Sequence, residues 1–301
     1  MSSKIPINFE RPPGGGRVPL SIRFWGTRGS IPTPGPRTVR YGGNTPCVTI
    51  EDGQGHRLIL DAGSGIRPLG KHLSWSAKTA QNLVVLLSHT HWDHIQGLPF
   101  FSPLYTAGNA IRILGPRSTG APLATTLRSQ MAPAVFPVPL TAIGAALEVD
   151  EIKSPEFSTP GFSVQSVSLC HPAPTLGVGI RPAAGGPSVS YLTDNELAGA
   201  EAARIRPELV RFLHRTDTLI HDAMYSETEV ASRLGWGHSS AAQATELALE
   251  AEVRRLVLFH HDPEHDDAAL EALLDEAVQC RERLGGTLEL VIAAEDIVLS
   301  C

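Results

Sequence analysis

Four side chains able to bind a metal ion, His89, His91, Asp93 and His94, fall within six positions. They follow at once on Asn82–Leu87, a short β-rich apolar run that reads as a fully buried strand. Three imidazoles and a carboxylate at the mouth of a core strand are costly to desolvate unless something compensates them. Divalent cations are the usual compensation, because neutral imidazole and carboxylate suit zinc, iron and manganese. On an extended loop His89 and His91 point the same way, while Asp93 and His94 can turn toward a second ion. The spacing therefore suits two adjacent cations better than one, and better than a surface loop rich in histidine by chance.

The elements that must hold this run are legible around it. Leu20–Trp25, Cys47–Glu51 and Arg57–Asp61 read as strands, the last two joined through a hairpin signal at Asp52-Gly53-Gln54-Gly55. Ile111–Gly115 reads as a strand, Thr119–Met131 as a helix and the Pro-rich Pro133–Pro139 as a loop. Phe162–Ser168, Gly177–Arg181 and Ser188–Leu192 resume the strands. Then the pattern alternates: helix Ala200–Leu213, strand Thr218–His221, helix Ser239–Ala251, strand Arg255–Phe259, helix Asp266–Arg283, strand Thr287–Ile292. Strands first, then strands alternating with helices, imply sheets sandwiched between helices, an α/β fold. Residues 1–19, with Pro12-Pro13-Gly14-Gly15-Gly16 and no periodicity, read as a flexible arm, and 20–301 as a single domain.

Composition narrows the functions. The chain has 301 residues, a hydrophobic fraction of 42% and a charged fraction of 19%, the profile of an ordinary globular protein. Its longest apolar runs are too short to span a bilayer, so no membrane partner is expected. The N-terminus lacks the apolar core of a secretory signal, which makes the cytoplasm the expected location. A net charge of −6 argues against general nucleic-acid binding, which relies on lysine and arginine. The four cysteines, Cys47, Cys170, Cys280 and Cys301, include no C-x-x-C pair and read as reduced thiols.

The run Ser88-His89-Thr90-His91-Trp92-Asp93-His94 resembles the H-x-H-x-D-H signature of the metallo-β-lactamase superfamily. Within it the chain looks most like the phosphodiesterase branch, which contains tRNase Z, the phosphoribosyl cyclic phosphodiesterases and cyclic-nucleotide phosphodiesterases. The resemblance runs from about Ile22 to Val298 and implies an αββα four-layer sandwich with two metals at the strand ends. It also implies the remaining ligands: His171 after Val167-Ser168-Leu169-Cys170, Asp194 ending Tyr191-Leu192-Thr193, and His260 ending Leu256-Val257-Leu258-Phe259. One cation would then be held by His89, His91 and His171, another by Asp93, His94 and His260, with Asp194 between them. Strand alternation lets only one of His260 and His261 face the site, and the Leu-x-Leu-x-His pattern favours His260.

Further roles follow from the same resemblance. Gly237-His238-Ser239-Ser240 resembles the Gly-His-Ser-Thr element of the tRNase Z branch, which makes His238 the group that protonates the leaving oxygen. Asp222 stands where that branch has glutamate, and would orient His238 if its shorter arm reaches. Asp61 would accept a proton from a ligating imidazole and fix its tautomer. Gly26-Thr27-Arg28-Gly29-Ser30 and Tyr41-Gly42-Gly43-Asn44-Thr45 would line the pocket, with Ser30, Asn44 and Thr45 as substrate contacts. The implied reaction is attack of a metal-bridging hydroxide on a phosphodiester, with Asp194 or Asp93 steering the proton.

The expected partner is a small anionic substrate such as a cyclic nucleotide or a ribose cyclic phosphate. The tRNA-gripping arm of tRNase Z is commonly inserted between the positions matching His171 and Asp194, which here stand only 23 apart, so tRNA is not expected. Members of the branch are frequently dimers, and a homodimer is carried as an expectation. Carbon-ester, lactone or thioester hydrolysis on the same scaffold is the alternative reaction, and a non-catalytic metal-binding module the alternative class.

Overall fold

The computed structural model describes residues 19–77, 79–117 and 120–301. The arm expected over residues 1–19 lies outside the described residues, Pro19 excepted. In the first sheet β1 (Leu20–Gly26), β2 (Cys47–Asp52), β3 (Arg57–Leu60), β4 (Asn82–Leu86), β5 (Ala110–Gly115) and β6 (Ala146–Glu151) lie side by side in chain order. In the second, β7 (Glu156–Thr159), β8 (Phe162–Ser168), β9 (Leu176–Pro182), β10 (Val189–Leu192), β11 (Thr218–Asp222), β12 (Arg255–Phe259) and β13 (Glu289–Ile292) do the same. The last strand, β14 (Val298–Ser300), returns to pair antiparallel with β1. Each sheet is part antiparallel and part parallel, with β3 to β6 and β10 to β13 parallel.

Side-chain alternation along the parallel strands builds the layers. In β4, Val84 and Leu86 enter the core between the sheets with Phe162, Tyr191 and Phe259. Leu83, Val85 and Leu87 point outward, onto Ile66, Leu69 and Leu73 of helix α1 (Ile66–Ser76). A four-residue turn of helix, α2 (Trp92–Ile95), follows β4, and α3 (Leu123–Ser129) adds Leu123 and Leu127 to the outer cluster. In β12, Val257 and Phe259 face inward, whereas Leu256 and Leu258 pack toward the helices outside the second sheet. Those helices are α4 (Gly199–Leu213), α6 (Ala241–Glu250) and α7 (Asp267–Leu284), with the short α5 (Glu227–Val230) between α4 and α6. The order of layers is helix, sheet, sheet, helix, an αββα sandwich as expected. No helix among the described residues is long and apolar enough to cross a membrane.

The elements that the sequence pattern does not reveal are those with weak local signals. Helix α1 contains Pro68 and Gly70; Pro68 lies in the first turn, where a missing N–H costs no hydrogen bond. Strands β6 and β7 are each an edge of their sheet, short and largely polar, and β14 is three residues long.

Polar residues occupy the ends of the parallel strands. Asp61 follows β3, Asp194 closes β10 and His260 follows β12, and all three have left-handed backbones, with φ of 58°, 54° and 61°. Such conformations cost of order 1–3 kcal/mol in a non-glycine residue and persist only where the surroundings enforce them. Two residues beyond Asp61, Gly63 supports the loop after β4: a Cβ there would lie 2.3 Å from the Asp93 carbonyl oxygen and 2.7 Å from Pro46 N. Replacing it with alanine should lower the unfolding free energy by about 1–3 kcal/mol in urea denaturation. Gly35→Ala, where a Cβ meets nothing within 4 Å, should change it by less than about 0.5 kcal/mol.

Candidate metal centre

The loop after β4 brings its four polar residues to one place in two different ways. His91 is extended, with φ −62° and ψ 153°, and caps α2. The chain turns helical at Trp92, so the expected extended loop ends there. That turn buries Asp93 and His94 while leaving Trp92 outside.

Two groups of four possible ligands result, His89, His91, His171 and Asp194, and Asp93, His94, Asp194 and His260, with ligand atoms all within 4.8 Å inside each group. Asp194 belongs to both. Its Oδ1 lies 3.6 Å from His89 Nε2 and 3.9 Å from His171 Nε2. Its Oδ2 lies 3.1 Å from His94 Nε2 and 3.3 Å from His260 Nε2. Asp93 Oδ2 sits 3.2 Å from both His94 Nε2 and His260 Nε2. The structure thus brings together every residue expected as a ligand. His261 points elsewhere: it is buried, its Nε2 donates to the Ala293 carbonyl, and burial pushes its pKa down to about 3.

Whether these residues suit cations is tested by their lone pairs. His89 Nε2 is buried and has no hydrogen-bond partner. Imidazole nitrogens face each other at 3.0 Å between His171 Nε2 and His91 Nδ1, and at 3.3 Å between His94 Nε2 and His260 Nε2. Burial pushes His89, His91 and His171 below the ordinary imidazole range, toward the neutral form that binds metals. Burial alone would raise Asp93 and Asp194, but the neighbouring His94 and His260 hold both well below the usual carboxylate range. Burial would likewise lower His94, yet Asp194, Asp93 and Asp61 outweigh it and raise it well above the imidazole range. Converging lone pairs and ionised carboxylates in a buried pocket call for positive charge, and the donor set fits a dinuclear site of divalent cations.

Around the ligands, hydrogen bonds fix orientation. Asp61 Oδ2 receives His94 Nδ1 at 2.8 Å, the Ser88 hydroxyl at 2.9 Å and the Tyr191 hydroxyl at 2.7 Å. His171 Nδ1 donates to the Gly237 carbonyl at 3.1 Å. Gly237 is held at φ 87°, and a Cβ there would lie 2.1 Å from that same imidazole nitrogen, so only glycine fits beside His171. The shorter aspartate does reach His238, with Asp222 Oδ2 2.6 Å from its Nδ1. The His238 ring stacks on His260 at 5.0 Å between centroids. Asp222, His238 and His260 themselves form a further group of converging donors.

The residues of the N-terminal loops expected to line the pocket have partners within the protein. Thr45 is fully buried, and its hydroxyl is taken by Ser64 N and the Gln96 amide. Asn44 gives its backbone N–H and its side-chain amide to Glu295 and accepts from the Ser64 hydroxyl. Both residues brace the loop, Thr45 out of reach of solvent and Asn44 engaged with Glu295 and Ser64. Ser30 meets the site through its backbone, whose N–H donates to Asp93 Oδ2 at 2.8 Å. Sequence reasoning missed Asn195 and Glu196. The Asn195 side chain accepts from Cys170 N and contacts His221, and the buried Glu196 carboxylate accepts from Gly235 N and Gly237 N. Their signal was the polar run Thr193–Glu196 directly after a buried strand.

Comparison with known proteins gives the family and the fold. The family model described as "Beta-lactamase superfamily domain" matches residues 56–261, more than half of the chain. A ribonuclease Z of Treponema denticola is 26% identical over 269 residues, covering 74% of this chain and 84% of that protein. The metallo-beta-lactamase fold protein YhfI of Bacillus subtilis superposes with a TM-score of 0.68 at 16% identity, covering 95% of this chain and 100% of YhfI. Human tRNase Z, short form, gives 0.61 at 20% identity, covering 93% and 98%. The names ribonuclease Z and tRNase Z overturn the expectation that excluded tRNA. A missing arm removes one means of grip and leaves the phosphodiester chemistry untouched, and a net charge averages over a surface that a substrate meets only in part. The chain belongs to the beta-lactamase superfamily.

Proposed function

We propose that this metal-dependent phosphodiester hydrolase acts on RNA, tRNA included, at the centre shared through Asp194. The observation that carries the reading is the Asp194 carboxylate, with one oxygen turned to each histidine group. The similarity to a ribonuclease Z over most of both chains supports the substrate class. His89, His91 and His171 with Asp194 Oδ1 would hold one cation, and Asp93, His94 and His260 with Oδ2 the other, zinc and manganese suiting these donors. Such a pair, when bound, would supply acidification of a water and neutralisation of charge on the phosphoryl oxygens.

The chain's own groups handle protons. Asp93 and Asp194, both held ionised, can take the proton of the attacking water. Burial would lower His238, but Asp222 raises it to about 9, so the ring holds its proton at neutral pH. With Nδ1 turned to Asp222, Nε2 is the atom that gives a proton to the oxygen leaving phosphorus. A small cyclic phosphodiester is the second reading. It is favoured by the span from His171 to Asp194, which β9, β10 and their turns fill without room for an arm.

Zinc- or manganese-loaded protein is expected to hydrolyse bis(p-nitrophenyl) phosphate, with loss of turnover in chelator and in Asp194→Ala. Two bound cations per chain with no turnover of any diester, but turnover of a lactone or thioester, would move the activity to carbon esters. No turnover of any of them would leave a metal-binding module. His238→Ala should lower kcat by about 10²–10⁴-fold while metal content measured by atomic absorption stays unchanged. Offered side by side, a 3′-extended tRNA precursor should be cleaved with higher kcat/KM than a 2′,3′-cyclic nucleotide, and the reverse order would select the second reading.

A further inference from the structure

Two tryptophans stand in solvent beside the buried donor set. Trp92 is 66% exposed although it lies between His91 and Asp93, and Trp236 is 59% exposed next to Gly237. One imidazole contacts a chain neighbour of each: His171 Nε2 meets the His91 side chain at Nδ1, 3.0 Å away, and His171 Nδ1 donates to the Gly237 carbonyl. His91 is itself exposed, so this is the open side of the centre. The Trp236 loop is held deliberately. Glu196, only 5% exposed, accepts from the N–H groups on both sides of Trp236, at Gly235 and Gly237. A buried carboxylate is thus used to fix a turn whose own side chain, an indole, faces water.

We propose that Trp92 and Trp236 are stacking platforms for the unpaired nucleobases on either side of the scissile phosphodiester, which makes single-stranded RNA the form of substrate bound. The proposal rests on the phosphodiesterase reading and names what grips the strand once its phosphate is at the centre. Exposed aromatic side chains that continue a catalytic rim mark a binding surface, and indoles bind bases of any sequence through their π-faces. Electrostatic grip is a poorer account of this rim. Arg28, in the loop beside His260, is buried, with Nε and Nη1 given to the carbonyls of Gly42, Asp262 and His265, so its guanidinium does not reach the surface of the rim. Binding by stacking also removes the need for a tRNA-gripping arm between His171 and Asp194.

The test is the Kd of metal-loaded protein for a fluorescent, cleavage-resistant RNA hexamer (2′-O-methyl, phosphorothioate), read by anisotropy. Trp92→Ala and Trp236→Ala should each raise Kd by on the order of tenfold, whereas Trp92→Phe and Trp236→Phe should stay within about threefold. Trp75→Ala, at a 95% exposed tryptophan on α1, should leave Kd unchanged. Thermal melts show that each variant is folded. A salt dependence corresponding to no more than about two phosphates is expected. Alanine variants that bind like the wild type would overturn the proposal. So would a Trp236→Ala variant that turns a dimer into a monomer in light scattering with RNA affinity intact, because the rim would then be an interface between copies. If the wild type fails to hydrolyse bis(p-nitrophenyl) phosphate, the hydrolase reading fails, and the Kd series still decides the stacking.

Discussion

Asp194 is a fully buried anion whose two oxygens answer to different histidines, and much of the site is arranged around that fact. A carboxylate so placed is tolerable only with positive charge on both sides. Three imidazoles from the loop after β4 approach it from one sheet, and His171 and His260 approach from the other. The left-handed backbone at Asp194 swings the carboxylate out of line with β10 and into that gap. Thr193, Asn195 and Glu196 on either side are buried and hydrogen-bonded, so this short segment has little freedom to relax.

The same device recurs at Asp61 and His260. Each follows a buried parallel strand, where the ladder of hydrogen bonds ends and the backbone can take an unfavourable turn. Packing above and below then holds that turn. The strands supply rigidity through residues such as Val84, Val257 and Phe259, and the residues just past their ends supply the chemistry. Gly63 and Gly237 complete the arrangement as positions where the backbone must come too close for any side chain.

What could be read from the sequence follows from how local each signal is. The run His89–His94 and the apolar strands carry their own patterns, so the alternation of strands and helices was legible, whereas His171, Asp194 and His260 were named only through the family resemblance that this run carries. Helix α1 was not, because Pro68 and Gly70 break its propensity and only packing on Phe101 and its neighbours restores it. The bracing of Asn44 could not be read because its partner is distant: Glu295 lies 251 positions away, and nothing local shows that the two will meet. The substrate was misjudged for a similar reason. Net charge and a missing insertion describe the whole chain, whereas recognition depends on the few groups at one rim.

The hydrogen bond from the Tyr191 hydroxyl to Asp61 joins β10 of one sheet to the end of β3 in the other. It is repeated in kind by the donors, since His89 to His94 belong to one half of the sandwich and His171, Asp194 and His260 to the other. The seam between the halves is therefore oily in its middle and chelating at its mouth. Neither half alone holds a complete set of donors, so catalytic competence and the docking of the two sheets are one event. Cations bound at that mouth would join the two halves, a hasp on the fold as well as the seat of its chemistry.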